Sequence, residues 1–325
     1  MLKLCNGSMQ ILAAGMLLTL AGSAAAQLNY PSRPIRFITP YAPGGSTTAM
    51  ARLVGQHLTE RWGQNVIIDN RPGGNTVIGT ELLTKSPPDG YTILLTPVTH
   101  SILSSLMKTP YDPIRDFAPV ATIGVAPQVL VLHPGVPAST VQEVIALAKS
   151  KPGQLNFASA GTGGTSHFAG EVFNMIAGVK TQHVPYKGGG PAVIDLIGGH
   201  VQMFYSVPLN IFASVQSGKL KAIAVTGKSR LTALPQMPTF AEAGLPTFDE
   251  KTWNGVTAPA GTPKGIIDKL STEIGAMLAM PSVKEKLDTL GTTPMISTPE
   301  QFGAMIKAEM TLYLKVIKAA NIKIN

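Results

Sequence analysis

A single succession recurs along this chain and narrows the folds open to it: a short apolar strand, a glycine-rich turn, then a stretch with helical period. Ile35 to Ile38 reads as a strand, Pro43-Gly44-Gly45-Ser46-Thr47 as the turn, and Met50 to Leu58 as the helix. Asn65 to Ile68 is the next strand. The turn Arg71-Pro72-Gly73-Gly74-Asn75, a short helix from Thr80 to Lys85 and a third strand from Thr92 to Leu95 follow it. Strands separated by helices imply an α/β fold whose sheet is mainly parallel and flanked by helices. Val129 to Leu132 is wholly apolar, which suits a buried strand or a crossover between lobes.

The theme then restarts. Thr140 stands where it caps a helix from Val141 to Lys149, with Glu143 three residues on. Leu155 to Ser159, Gln182 to Pro185, Val201 to Tyr205 and Lys221 to Thr226 read as strands. Gly161-Thr162-Gly163-Gly164-Thr165-Ser166 leads into a helix from His167 to Ile176, and Gly190-Pro191 opens another through Ile197. Trp253 to Ala258 reads as a return strand. Helices at Lys264 to Met280, Val283 to Leu290 and Pro299 to Ala320 close the chain.

The first 26 residues stand apart from this pattern. Lys3, an apolar run from Ile11 to Leu20 and the small residues Ala24-Ala25-Ala26 form the layout of a cleaved secretory signal peptide. The run is short for about 30 Å of hydrocarbon, and the only cysteine, Cys5, precedes it. The expected mature chain is therefore periplasmic and free of disulfides, so it relies on its core. Some 300 residues suffice for two domains of about 150 each. Without Lys3, 25 basic residues face 18 acidic ones, a net charge of +7 that attracts anions. The basic residues are scattered without a Lys/Arg run, which argues against nucleic acid.

Two glycine turns, Pro43 to Thr48 and Ala160 to Ser166, each join a strand to a helix, one in each half of the chain. Each is either a tight connection or a ligand loop, because glycine admits close backbone approach and helix starts attract anions. Ligands of such sheets bind beyond the carboxyl ends of the strands. Nucleotide motifs fail. Gly227-Lys228-Ser229 lacks the upstream P-loop glycine, since Ala222 is there. Ser166 holds the third dinucleotide glycine position, and Gln182 and His183 stand where the acidic residue belongs. There is no G-x-S-x-G elbow, and the six histidines show no metal spacing. Ser166 and His167 are adjacent, so their side chains do not face each other on a helix. No catalytic residue, metal or cofactor is expected. His100, just past the third strand, has two readings, ligand contact or loop packing. Trp253 lines the cleft or packs the hinge.

Several segments in order resemble one family. They are Tyr30-Pro31-Ser32-Arg33-Pro34-Ile35, Pro43-Gly44-Gly45, Asn70-Arg71-Pro72-Gly73, Pro88-Asp89-Gly90-Tyr91-Thr92 and Gly163-Gly164-Thr165-Ser166-His167 with Ala169-Gly170-Glu171. Val184-Pro185-Tyr186-Lys187-Gly188, Leu220 to Thr226 and Ala258-Pro259-Ala260-Gly261-Thr262-Pro263 complete the set. From Tyr30 onward the chain resembles the Bug family, extracytoplasmic solute receptors of tripartite tricarboxylate transporters. The resemblance implies a two-lobed Venus-flytrap fold with two crossover segments: 27–125 plus 255–325 as the first lobe and 126–254 as the second. It implies a monomer that holds a small organic carboxylate by loop amides, hydroxyls and waters and passes it to membrane subunits of the transporter. A receptor feeding a sensor kinase, or an enzyme of unrecognised class, is the alternative.

The ligand contacts expected on this basis are Tyr41, Pro43, Gly44, Gly45, Ser46, Thr47 and Thr48 from the first loop, with Thr96 and His100 beside it. From the second half they are Ala160, Gly161, Thr162, Gly163, Gly164, Thr165 and Ser166, with Tyr186, Lys187, Tyr205 and Ser206. The chain departs from the family where Thr48 replaces an aspartate, Ser206-Val207 replaces Asp-Asn, and Leu103 replaces an asparagine. The turn after Arg71 also has less glycine, with Asn75 and Thr76 intervening; asparagine tolerates the left-handed region best after glycine. Two missing carboxylates disfavour an ammonium. The expected ligand therefore lacks an amine and has an apolar or aromatic body against Tyr41, Tyr205 and Trp253.

Overall fold

The computed structural model describes residues 30–289 and 291–320. The expected signal peptide, residues 1–26, lies outside them. The chain runs through β1 (Ile35–Thr39), α1 (Ser46–Trp62), β2 (Val66–Asn70), a 3-10 turn (Gly74–Thr76), α2 (Val77–Thr84), β3 (Thr92–Pro97), α3 (Thr99–Leu106) and β4 (Phe117–Pro127). It continues through β5 (Val129–Leu132), α4 (Val141–Ser150), β6 (Asn156–Ser159), α5 (Thr165–Ala177), β7 (Gln182–Pro185), α6 (Gly189–Ile197), β8 (Met203–Ser206), α7 (Pro208–Gln216) and β9 (Lys221–Val225). It returns in β10 (Lys251–Pro259), followed by α8 (Lys264–Ala279), α9 (Pro281–Thr289), β11 (Thr293–Pro294) and α10 (Pro299–Ala320).

Two sheets result, in the orders β11-β4-β10-β3-β1-β2 and β7-β6-β8-β5-β9. The sheets are mixed, which corrects the expectation of mainly parallel ones. Parallel pairing is confined to β3-β1-β2 and β7-β6-β8. β5 and β10 pair antiparallel with their neighbours. Each of these strands arrives from the other sheet, so it enters at the edge where its parallel neighbours end and runs the opposite way. The carboxyl ends of β1, β2 and β3 therefore share one edge, as do those of β6, β7 and β8.

Local chemistry explains the elements that the sequence makes plain. Ile35, Phe37 and Ile38 are fully buried, as a strand covered on both faces requires. The Thr140 hydroxyl accepts from Glu143 N at 3.2 Å, and the Glu143 carboxylate accepts from Ser139 N at 2.6 Å. Such a cap stabilises a helix by about 1 kcal/mol. Four elements are not evident in the sequence: α3, β4, α7 and the two-residue β11. The β4 stretch carries Pro119, Gly124 and Pro127 and shows no alternation. It is a strand because β10 and β11 pair with it on either side.

The core is continuous across the two sheets. One apolar cluster joins Phe157, Phe168, Phe173 and Tyr205 around the second sheet to Trp253, Phe302, Ile306 and Tyr313 around the first. α10 straddles the pair. Phe302 meets Trp253 edge-on at 5.4 Å, and Tyr313 meets Phe168 edge-on at 4.9 Å. Burying each large apolar side chain contributes about 1.5–3 kcal/mol. Thr226, after β9, accepts from Gln128 N at 2.8 Å and donates to the Glu250 carbonyl, so the two passages between the sheets are bonded to one another.

Candidate functional site

The first loop is built by β1 and clamped by β2. Gly44 holds φ at 96°, a value glycine tolerates, and turns the chain into α1. Asn70, the last residue of β2, aims its amide nitrogen at three oxygens: Thr39 Oγ1 at 2.5 Å, the Tyr41 carbonyl at 2.9 Å and Thr48 Oγ1 at 2.9 Å. Strand end, loop and helix start are thus tied by one side chain. The Tyr41 hydroxyl is 3.0 Å from Thr99 Oγ1, and burial pushes its phenol up. Pro43 and Gly44 are exposed; Gly45, Ser46 and Thr47 are half-buried.

The second loop is tied down from beneath. Ala160 N donates to Ser166 Oγ at 2.9 Å, Gly161 N to Ser159 Oγ at 3.2 Å, and Gly163 N to His167 Nδ1 at 2.9 Å. Gly163 has φ 76°. The His167 and His183 rings stack at 3.8 Å, and His183 Nε2 lies 2.5 Å from Ser159 Oγ. Burial pushes His167 down to about 4. Burial and the neighbouring His167 push His183 down to about 3. Both rings are neutral at neutral pH, which leaves His167 Nδ1 free to accept from the loop.

Both loops end at helix starts that no side chain caps. The N-cap residues are Gly45 for α1 and Gly164 for α5, and neither helix has an acidic residue in its first turn. The first-turn N–H groups of a helix have no intrahelical acceptor and carry the positive end of its dipole. α4 is capped by its own Thr140, whereas α2, α3, α6, α7 and α8, like α1 and α5, have no side-chain cap bond. In chemical terms the two loops offer sets of main-chain donors suited to an anion. The second loop is also tied to the first sheet's side of the molecule: Asn75 Nδ2, in the turn after β2, donates to the Thr162 carbonyl.

Other expected contacts lie elsewhere. His100 is 1 % exposed, with Nε2 donating to the Pro113 carbonyl at 2.9 Å and its ring packed on Tyr111 and Phe117. Burial pushes it down to about 4. Of its two readings, packing is the one the geometry favours. Tyr205 is fully buried among Phe157, Phe173 and Phe248, and Trp253 is buried with its Nε1 donating to Glu309 at 2.5 Å. These two rings belong to the core, on strands that are buried on both faces. Thr96 pairs with Thr257 at 2.7 Å inside the sheet, and Thr48 is engaged by Asn70. Ser206 is buried and bonds to the Val207 carbonyl at 3.3 Å. Tyr186 lies beside the second loop, with its hydroxyl donating to Asp195 at 2.7 Å, and Lys187 is exposed. Burial and Asp195 push the Tyr186 phenol up to about 12. Asn70, Asn75, His183 and Ser159 were not among the expected contacts. Asn70 and Asn75 flank the Arg71-Pro72-Gly73 turn, which was the available signal.

The family model described as the tripartite tricarboxylate transporter family receptor, TctC, matches residues 50–322. The chain belongs to this family. BugT of Bordetella pertussis is 37 % identical over 315 residues, covering 95 % of this chain and 97 % of that protein. Among solved structures, Rpa4515 of R. palustris with adipate superposes with a TM-score of 0.87 at 33 % identity, covering 90 % of this chain and 99 % of that one. MatC of Rhodopseudomonas palustris with bound malate gives a TM-score of 0.82 at 29 % identity, covering 89 % and 100 %. The TctC receptor shares with them the two-lobed periplasmic-binding-protein fold. It is a solute-binding protein of the Bug type and not an enzyme.

Proposed function

We propose that this receptor, exported to the periplasm by its cleaved leader, captures a small amine-free di- or tricarboxylate or aromatic acid between its two sheets. It then hands the acid, as a monomer, to the membrane subunits of a tripartite tricarboxylate transporter. The two sheets are the cores of the lobes, and the crossovers lie at Gln128 and at 226–250. The carrying observation is the pair of uncapped helix starts at Gly45 and Gly164, each open to an anion. Ser46 and Thr47 on one side, and Thr162, Thr165 and the first-turn amides of α5 on the other, are the proposed contacts. The relatives holding adipate and malate support a carboxylate, and the positive net charge favours its approach.

The absence of an amine rests on Thr48 and Ser206, neutral groups that are both buried. Of the nearby acids, Asp195 is bonded to Tyr186, and Glu171 lies behind His167 at 3.8 Å. A thermal-shift screen over mono-, di- and tricarboxylates, with aspartate and glutamate beside succinate and glutarate, tests the reading. A bound acid stabilises by about 2.7 kcal/mol at a hundredfold excess over Kd. Mass spectrometry should return the ligand unaltered. Failure of every carboxylate to shift the melt removes the proposal; preference for the amino acids over their deaminated partners removes the amine-free part.

A further inference from the structure

Within the described chain, only the 3-10 turn between β2 and α2 holds non-glycine residues at positive φ: Asn75 at 51° and Thr76 at 84°. Asparagine accepts this region readily, but for a β-branched threonine it is a true outlier. The Thr76 hydroxyl is also buried without a hydrogen-bond partner. Backbone of this kind persists only where surrounding contacts determine it, and it gathers at ligand clamps and switches.

One contact of this turn crosses between the sheets. Asn75 Nδ2 donates to the carbonyl of Thr162, 87 residues away in the second glycine loop. Its Oδ1 lies where a side chain on Gly161 would begin: a Cβ there would stand 3.0 Å away, and one on Gly164 3.9 Å away. Only a glycine loop admits the asparagine so closely. Apart from the bonds of the crossovers around Gln128 and Thr226, this is the one hydrogen bond among the described residues that joins the two sheets' loops. Asn75 therefore reaches from the first sheet's side to the loop that presents the uncapped start of α5.

We propose that Asn75 is the latch of the cleft, holding the second glycine loop to the first lobe and setting how long a captured ligand stays. The ligand-lifetime part rests on the carboxylate reading above; the latch itself does not. The positive-φ turn at Asn75 and Thr76 carries the Asn75 carboxamide to the second loop, where it makes the bond.

The test uses two spin labels on the full mature chain, which has no cysteine after Cys5. Arg52→Cys on α1 and Ile194→Cys on α6 place them on exposed positions of opposite lobes. Double electron–electron resonance then reads the separation with and without Asn75→Ala. The latch predicts a shift of the population toward longer distances in Asn75→Ala. Thr76→Gly, which permits the same backbone and keeps the bond, should retain the short distance. An unchanged distribution in Asn75→Ala overturns the latch, and so does equal opening by Thr76→Gly, which would mean general disruption of the turn. Stopped-flow with adipate supplies the second readout: about a three- to tenfold faster dissociation in Asn75→Ala with association unchanged. Unaltered dissociation overturns the lifetime part. A distance shift in a protein whose wild type binds neither adipate nor malate upholds the latch and counts against those ligands.

Discussion

Replacing Asn70 by alanine should disable the first loop without unfolding the lobe that carries it. The Asn70 amide has two hydrogens and lies within 2.9 Å of three oxygens, so about two hydrogen bonds are held at once. Each contributes a net ~1 kcal/mol, and the acceptors left behind are buried: Thr39 is 0 % and Thr48 1 % exposed. The expected loss of stability is about 2–3 kcal/mol, which at roughly 2–4 °C per kcal/mol lowers the melting temperature by about 5–10 °C. Binding should suffer separately. A loop freed from its clamp must be reordered by the ligand, and fixing even one residue costs about 1–2 kcal/mol, or about tenfold in Kd. Differential scanning calorimetry of the ligand-free protein and isothermal titration with the best carboxylate from the screen measure the two effects. Far-ultraviolet circular dichroism should stay as in the wild type. A variant that melts within a degree of the wild type and binds as tightly would refute the clamp, and with it the preorganised first loop.

Gly164→Val should lose carboxylate binding while keeping the wild-type fold, since its Cβ would stand 3.2 Å from the Gly161 carbonyl and crowd the start of α5; unchanged affinity by titration would count against the second loop as a contact. His167 and His183 have folded values below the ordinary 6.5, at about 4 and about 3, so the unfolded chain takes up protons first. Stability should therefore fall as pH drops from about 6.5 through 4 toward 3, and a His167→Gln, His183→Gln double variant should show a shallower acid slope in urea melts. Glu309 runs the other way. Burial holds it up to about 7, against 4.5 when exposed, so its contribution is complete below about 4.5 and lost as pH rises through 7. Glu309→Gln keeps an acceptor for Trp253 and should melt like the wild type near pH 5 but higher near pH 8; an equal difference at both pH values would dismiss the assignment.

The sequence by itself determined what depends on neighbours within a few residues. The recurrence of strand, glycine turn and helix set the α/β class and put a glycine turn ahead of a helix in each half, although α1 and α5 begin at Ser46 and Thr165, before the residues where the helical period shows. The capping box at Thr140 and Glu143 was legible for the same reason. Tertiary structure decided everything that joins distant parts of the chain. β5 and β10 run antiparallel because of where the chain re-enters each sheet, and no local pattern encodes that direction. His100 sits at a strand's carboxyl end, as a ligand residue would, yet Tyr111, Phe117 and the Pro113 carbonyl close over it. Tyr205 and Trp253 are aromatic residues of strands whose facing only the assembled sheets fix. Asn75 meets Thr162 across 87 residues. Hydrophobic period and capping act over one or two turns of chain, whereas burial and cross-sheet hydrogen bonds exist only once both lobes are formed.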